Sequence, residues 1–130
     1  MRKPFVVANW KMHKSVDEAL DFIRRLQGRL PDADLVECGV AANFLALYPM
    51  LQEVKGQPLE IISQNAYAEY EGAYTGEVSP KALADAGINY ALLGHIERRK
   101  LFNETDDLVN RKVIATLQAG MTPIICTDET

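Results

Sequence analysis

The sequence predicts an α/β fold of parallel strand–helix units, and three observations carry that expectation. Short apolar runs begin near residues 5, 35, 59, 90 and 121, so strand-like segments recur every 24 to 31 residues. Amphipathic stretches with helix start or stop residues fill the intervals between them. The chain has 130 residues, 48% apolar and 25% charged, enough for one ordinary domain that buries a core without disulfide or metal. Strand and helix alternating at this period imply a parallel sheet covered by helices.

Phe5-Val6-Val7-Ala8 enters through Pro4, as suits a first strand residue that needs no ladder N–H, and the strand ends near Asn9. Ser15 with Glu18 three residues on forms a capping box, after which Val16, Ala19, Leu20, Ile23, Leu26 and Leu30 recur at helical spacing. Leu35-Val36-Glu37-Cys38-Gly39-Val40 reads as the second strand. Residues 44–54 read as the second helix, with Leu47, Leu51 and Val54 on one side and Gly56 at C′. Pro49 is tolerable only near a first turn, so this helix is expected to start later than its apolar spacing suggests.

Residues 59–63 form the third strand, and residues 65–78 then show no period while holding Tyr67, Tyr70 and Tyr74. Connections of that length are usually functional or interfacial. Ser79-Pro80 opens a helix that Gly87 closes, and Tyr90-Ala91-Leu92-Leu93 is strand four. Thr105-Asp106-Asp107 caps a helix whose Val109, Val113 and Leu117 are expected to face inward and whose C′ is Gly120. Ile124-Ile125-Cys126 begins strand five, and no helix follows before Thr130. Parallel strands rely on flanking helices, so an apolar edge is expected to be exposed. Two architectures fit: a doubly wound five-stranded fold without its last helix, or the first half of an eight-fold barrel of about 250 residues.

Fourteen Lys and Arg against eighteen Asp and Glu leave a net charge of −4 with no basic cluster, which argues against nucleic acid and anionic membrane as main partners. Cys38 and Cys126 lie far apart, without the spacing of a zinc or redox site, and are expected as buried thiols in a reducing compartment. No apolar run approaches a membrane span and residues 1–14 do not read as a signal peptide, so a cytoplasmic protein is expected. Neither Gly-rich phosphate cradle occurs, no Ser-His-Asp order stands out, and no metal-ligand pair does either, so no metal site is expected.

In either architecture a site forms at the carboxyl ends of the strands. Asn9 and Lys11 follow strand one, Gln64 and Asn65 follow strand three, and Gly94-His95-Ile96-Glu97-Arg98-Arg99 follows strand four. Lys11 offers a point charge for an anionic substrate or an enolate-like oxygen. His95 stands at a short helix start, where N–H groups point at its ring; a neutral imidazole held so can donate to a substrate carbonyl. Arg99 and Lys100 read as a solvated face or an i,i+3 salt-bridge set, His13 as exposed, and Trp10 as packing.

Asn9-Trp10-Lys11-Met12, Gln64-Asn65, the run from Gly72 to Ser79 and Gly94-His95-Ile96-Glu97-Arg98-Arg99 together resemble the triosephosphate isomerase family, in the family's order and over the whole chain. The resemblance implies the N-terminal half of a single (β/α)8 TIM barrel domain, residues 1–130 carrying about four and a half βα units. It implies interconversion of dihydroxyacetone phosphate and glyceraldehyde 3-phosphate through an enediolate, in glycolysis and gluconeogenesis, without cofactor. The family is a standard example of pKa tuning, and the roles of histidine electrophile and glutamate base are taken from it. By position, Asn9 and Lys11 bind substrate, Lys11 stabilises negative charge, His95 polarises the carbonyl, and Glu97 is a supporting or proton-relay residue. Thr75 matches the tip of a loop that braces a neighbouring subunit, which implies a homodimer through residues 65–78.

The chain departs from the family pattern at Ile96, where a serine is usual, at Thr127-Asp128, at His13 and at Ala41-Ala42. The family's glutamate base, closing lid and glycine-rich phosphate grip lie in its second half, so these 130 residues alone are expected to be nearly inactive. Two other readings remain: a non-catalytic half-barrel that buries its edges by self-association, and a small ligand-binding α/β module.

Overall fold

The computed structural model describes residues 2–127. Along the chain run β1 (Phe5–Asn9), α1 (Val16–Leu26), β2 (Glu37–Ala42), α2 (Phe44–Glu53), β3 (Leu59–Ser63), α3 (Pro80–Ala86), β4 (Tyr90–Leu93), α4 (Ile96–Leu101), α5 (Asp106–Gln118) and β5 (Thr122–Ile125). The chain divides into two compact units, Met1–Ile62 and Ser63–Thr130.

In the first unit the strands follow in the order β1-β2-β3, with β1 parallel to β2 and Phe5 opposite Glu37 through to Asn9 opposite Ala41. Ala19 and Ile23 of α1, Ala46, Leu47 and Met50 of α2, and the β2 and β3 residues Val40, Ala41, Ala42, Ile61 and Ile62 are buried. Each large apolar side chain so buried contributes roughly 1.5–3 kcal/mol against the entropy of ordering the chain. An Arg24–Glu53 ion pair of 2.7 Å ties α1 to α2 at the surface. In the second unit Ser63 pairs with Ala91 of β4, and β4 runs parallel to β5 from Tyr90 opposite Thr122 to Leu93 opposite Ile125. Its core holds Leu83, Ile88, Leu92, Leu93, Val109, Ala115 and Met121. The end strands keep apolar side chains at the surface, Val6 on β1 and Ile125 on β5.

The starts of α1, α3 and α5 follow the sequence closely because capping chemistry is local. Ser15 and Glu18 make the full capping box on α1, Ser79 caps α3 with Pro80 in its first turn and left-handed Gly87 behind it, and Thr105 caps α5.

Several expectations give way to the structure. Strand β2 begins at Glu37, because the Leu35 and Val36 N–H groups donate to Asp32 O in a turn, and Leu35 is 70% exposed. Helix α1 stops at Leu26, with left-handed Gly28 behind it and Leu30 outside the helix. Helix α2 starts at Phe44 after all, capped by Asn43, with Pro49 in its interior. The N–H that Pro49 lacks would have bonded Leu45 O, and Leu45 is exposed, so that carbonyl lies on the solvent side. Val54 ends the helix, which puts left-handed Gly56 one residue beyond C′. In α5, Lys112 and Thr116 turn inward with Val109 while Leu117 is 57% exposed. Strand β5 ends before Cys126, and both cysteines are half-buried thiols, not core ones. The short helix α4 adds an element to the simple alternation.

Candidate active site

In the first unit the carboxyl end of β1 delivers Asn9 and Lys11 onto a constrained turn. Asn9 Oδ1 accepts the Lys11 N–H at 3.0 Å, Trp10 N–H donates to Ala41 O at 3.0 Å, and His13 N–H donates to Trp10 O at 3.1 Å. Lys11 has φ +57°, a left-handed conformation that costs a non-glycine residue about 1–2 kcal/mol. Residues held this way cluster at functional sites, because only surroundings that over-determine the backbone keep them there. The Trp10 ring meets Phe22 edge-on at 5.0 Å and lies under the Lys14 ammonium at 5.1 Å, so it packs, as expected. His13 is exposed.

In the second unit β4 ends at Leu93, and Gly94 turns the chain into His95, the N-cap of α4. Gly94 has φ +74°, and a Cβ there would come within 2.9 Å of Arg99 Nη2 and 3.0 Å of Val109 Cγ1, so the turn has room for glycine alone. The Glu97 N–H donates to His95 Nδ1 at 3.3 Å, while Glu97 Oε2 lies 3.5 Å from the same nitrogen. An Nδ1 that accepts an N–H fits the tautomer with its proton on Nε2, which leaves that nitrogen as the ring's donor. Arg99 is neither on an open solvated face nor in an i,i+3 pair: its Nε donates to Gly94 O at 2.7 Å and its guanidinium pairs with Asp106, seven residues on.

The second unit also holds residues 65–78 as an irregular loop. Tyr67 N–H donates to Val78 O and closes it, Tyr67 and Tyr74 rings sit 4.7 Å apart, and Thr75 lies exposed in the turn that the Glu77 N–H to Tyr74 O bond makes. Among the described residues no cluster of His, Cys, Asp and Glu could hold a metal, and no helix is long and apolar enough to cross a membrane. Asp128 lies outside the described residues.

Comparison with known proteins settles the family. The triosephosphate isomerase family model matches residues 4–130. The chain belongs to the triosephosphate isomerase family. It is 49% identical over 128 residues to the triosephosphate isomerase of Streptococcus agalactiae serotype Ia, covering 98% of this chain and 51% of that protein. The Lactiplantibacillus plantarum triosephosphate isomerase is 49% identical over 129 residues, covering 99% and 51%. The crystal structure of triosephosphate isomerase from Bartonella henselae superposes with a TM-score of 0.90 at 32% identity, covering 99% of this chain and 53% of its own. The chain thus spans about half the length of the curated relatives it matches. Of the two architectures open from the sequence, the match is to the N-terminal half of the TIM (β/α)8 barrel and not to a doubly wound sheet.

One group in the second unit escaped the sequence reading. Lys112, 1% exposed, donates from Nζ to Glu104 Oε2 at 2.8 Å and to Asn65 Oδ1 at 3.0 Å, and Arg98 Nε donates to the same Glu104 oxygen at 2.8 Å. Burial pushes the Glu104 carboxyl up, but the hydrogen bonds and charges of Lys112 and Arg98 outweigh it and hold the group below its usual range. Arg98 lies in α4, so this buried pair braces the helix that His95 caps, and through Asn65 it anchors the start of the loop. The available signal was Val109, Lys112, Val113 and Thr116 sharing one helical face, a pattern that reads as apolar only if the lysine is ignored.

Proposed function

We propose that this chain supplies the carbonyl-polarising and charge-stabilising residues of a triose-phosphate isomerase, which interconverts dihydroxyacetone phosphate and glyceraldehyde 3-phosphate in glycolysis and gluconeogenesis. The observation that carries the reading is the bond from the Glu97 N–H to His95 Nδ1, which reserves Nε2–H for a substrate. As a proton leaves the carbon beside the carbonyl, negative charge gathers on the oxygen, and a pre-aimed N–H stabilises it without reorganisation. Asn9 and Lys11 bind substrate, the Lys11 ammonium opposing the same developing charge, and Glu97 supports or relays a proton. The enediolate takes the proton back on the neighbouring carbon, so the reaction needs no cofactor. By family resemblance the base, the lid and the phosphate grip come from the second half of the barrel. A general base is worth roughly 10²- to 10⁴-fold, so residues 1–130 alone turn over substrate barely, if at all.

The same reading assigns Thr75 and residues 65–78 to a homodimer contact in a cytoplasmic enzyme. The closed, tyrosine-lined loop with its exposed tip supports it. Kinetics of the complete protein test the proposal. His95→Ala lowers kcat by about 10²-fold or more, the scale of losing one donor aimed at an oxyanion, whereas Lys11→Ala raises KM and lowers kcat together. Wild-type rates in either variant overturn these roles.

A further inference from the structure

We infer that Asn43 is a positioning residue for Lys11, holding the turn that carries it through a hydrogen bond to the Lys14 carbonyl. The inference deepens the reading of Lys11 as a substrate-handling group and rests on it. The turn from β1 to α1 contains two non-glycine residues in the left-handed region, Lys11 at φ +57° and Lys14 at φ +76°. Residues in that region persist only where the surrounding structure over-determines the backbone, and here this turn is bonded at both ends. At its entry the Trp10 N–H donates to Ala41 O, a main-chain acceptor that any residue at 41 offers. At its exit Asn43 Nδ2 donates to Lys14 O at 3.2 Å, a bond that needs a side chain with a donor at that length. Both anchors therefore come from the end of β2 and the residue that follows it.

Asn43 has a second task, and the two use opposite ends of one amide. Its Oδ1 accepts the Ala46 N–H at 3.2 Å and caps α2, which orients the group so that Nδ2 faces Lys14 O. Asp, Ser or Thr would cap this helix as well. Asp has no donor when ionised, and the Ser or Thr hydroxyl is one atom on a shorter arm, so among the residues that cap well only Asn offers a separate donor at this length. Lys14 then closes the turn from the other side, its ammonium 5.1 Å from the Trp10 ring and 5.5 Å from Phe22, so backbone and side chain of one residue are both pinned.

The test separates cap from bracket in the full chain. Asn43→Asp keeps an oxygen for Ala46 and removes the donor to Lys14, Asn43→Ser keeps the oxygen on an arm too short to carry its hydroxyl to Lys14 O as well, and Asn43→Ala removes both bonds. Amide exchange and backbone chemical shifts by NMR, with the emission of Trp10, the chain's one tryptophan, report on the turn. In the Asp and Ser variants we expect α2 protection to stay at wild type, the Lys11 and His13 amides to exchange about fivefold faster, the effect of one ordinary hydrogen bond, and the Lys11 shifts to move. Wild-type exchange at His13 and unmoved Lys11 shifts in both variants overturn the inference and leave Asn43 a helix cap. None of these readouts uses turnover. A Lys11 held by Asn43 but silent in the isomerase assay therefore sinks the functional reading and leaves this one standing.

Discussion

Two lysines, one in each unit, show opposite ways of placing the same charge. Lys11 sits exposed at the tip of β1, its backbone left-handed and tied by the Asn9 side chain. Lys112 lies inside the second unit on an unstrained helix, its ammonium satisfied by Glu104 and Asn65. Left-handed strain at a non-glycine residue is common at functional sites, whereas a buried, paired charge points to architecture. The first lysine should be dispensable for stability, and the second should not.

The largest effect expected from this contrast is on Lys112→Met, which leaves a buried carboxylate with Arg98 alone. Breaking a buried pair by removing one partner costs about 3–5 kcal/mol, measurable as a fall in unfolding free energy in urea. A loss no greater than that of a surface lysine would show that the Glu104 cluster does not brace the unit. A smaller effect concerns acid. The Glu104 carboxyl is held below its unfolded value, so its contribution is complete above the unfolded pKa near 4.5 and is lost as pH falls through the lower folded value. Wild type should therefore lose stability below about pH 4.5 more steeply than Lys112→Met; equal slopes would contradict the pairing. The smallest effect is on Lys11→Gly. Relief of the left-handed penalty, about 1–2 kcal/mol, is partly offset by the 0.5–1 kcal/mol that glycine's extra freedom costs, so stability rises by about 1 kcal/mol or less. A clear loss would mean that the Lys11 side chain holds the turn together, erasing the difference between the two lysines.

What could be read in advance follows the range of the interactions involved. The capping box at Ser15, the Ser79-Pro80 start and the Gly87 stop were legible because each is settled within a few residues. Asn9, Lys11 and His95 were legible as strand-end polar groups, and the structure places Asn9 and Lys11 at the end of β1 and His95 just after β4. The inward face of α5 was misread, because a lysine is apolar-like only when a carboxylate from another segment meets it, and Glu104 lies in the connection before that helix. Pro49 was misread for a related reason: its cost depends on which side of α2 meets water.

By itself the sequence determined the strand–helix alternation, the capped starts of α1, α3 and α5 and the residue types at the strand tips, since propensity, capping and two-residue or 3.6-residue periodicity act along the chain. Only the tertiary structure decided that Lys11 is left-handed, that Asn43 serves two segments with one amide, and that Lys112 is buried. Each of these depends on a partner from a different part of the fold, and no local pattern encodes where that partner will be.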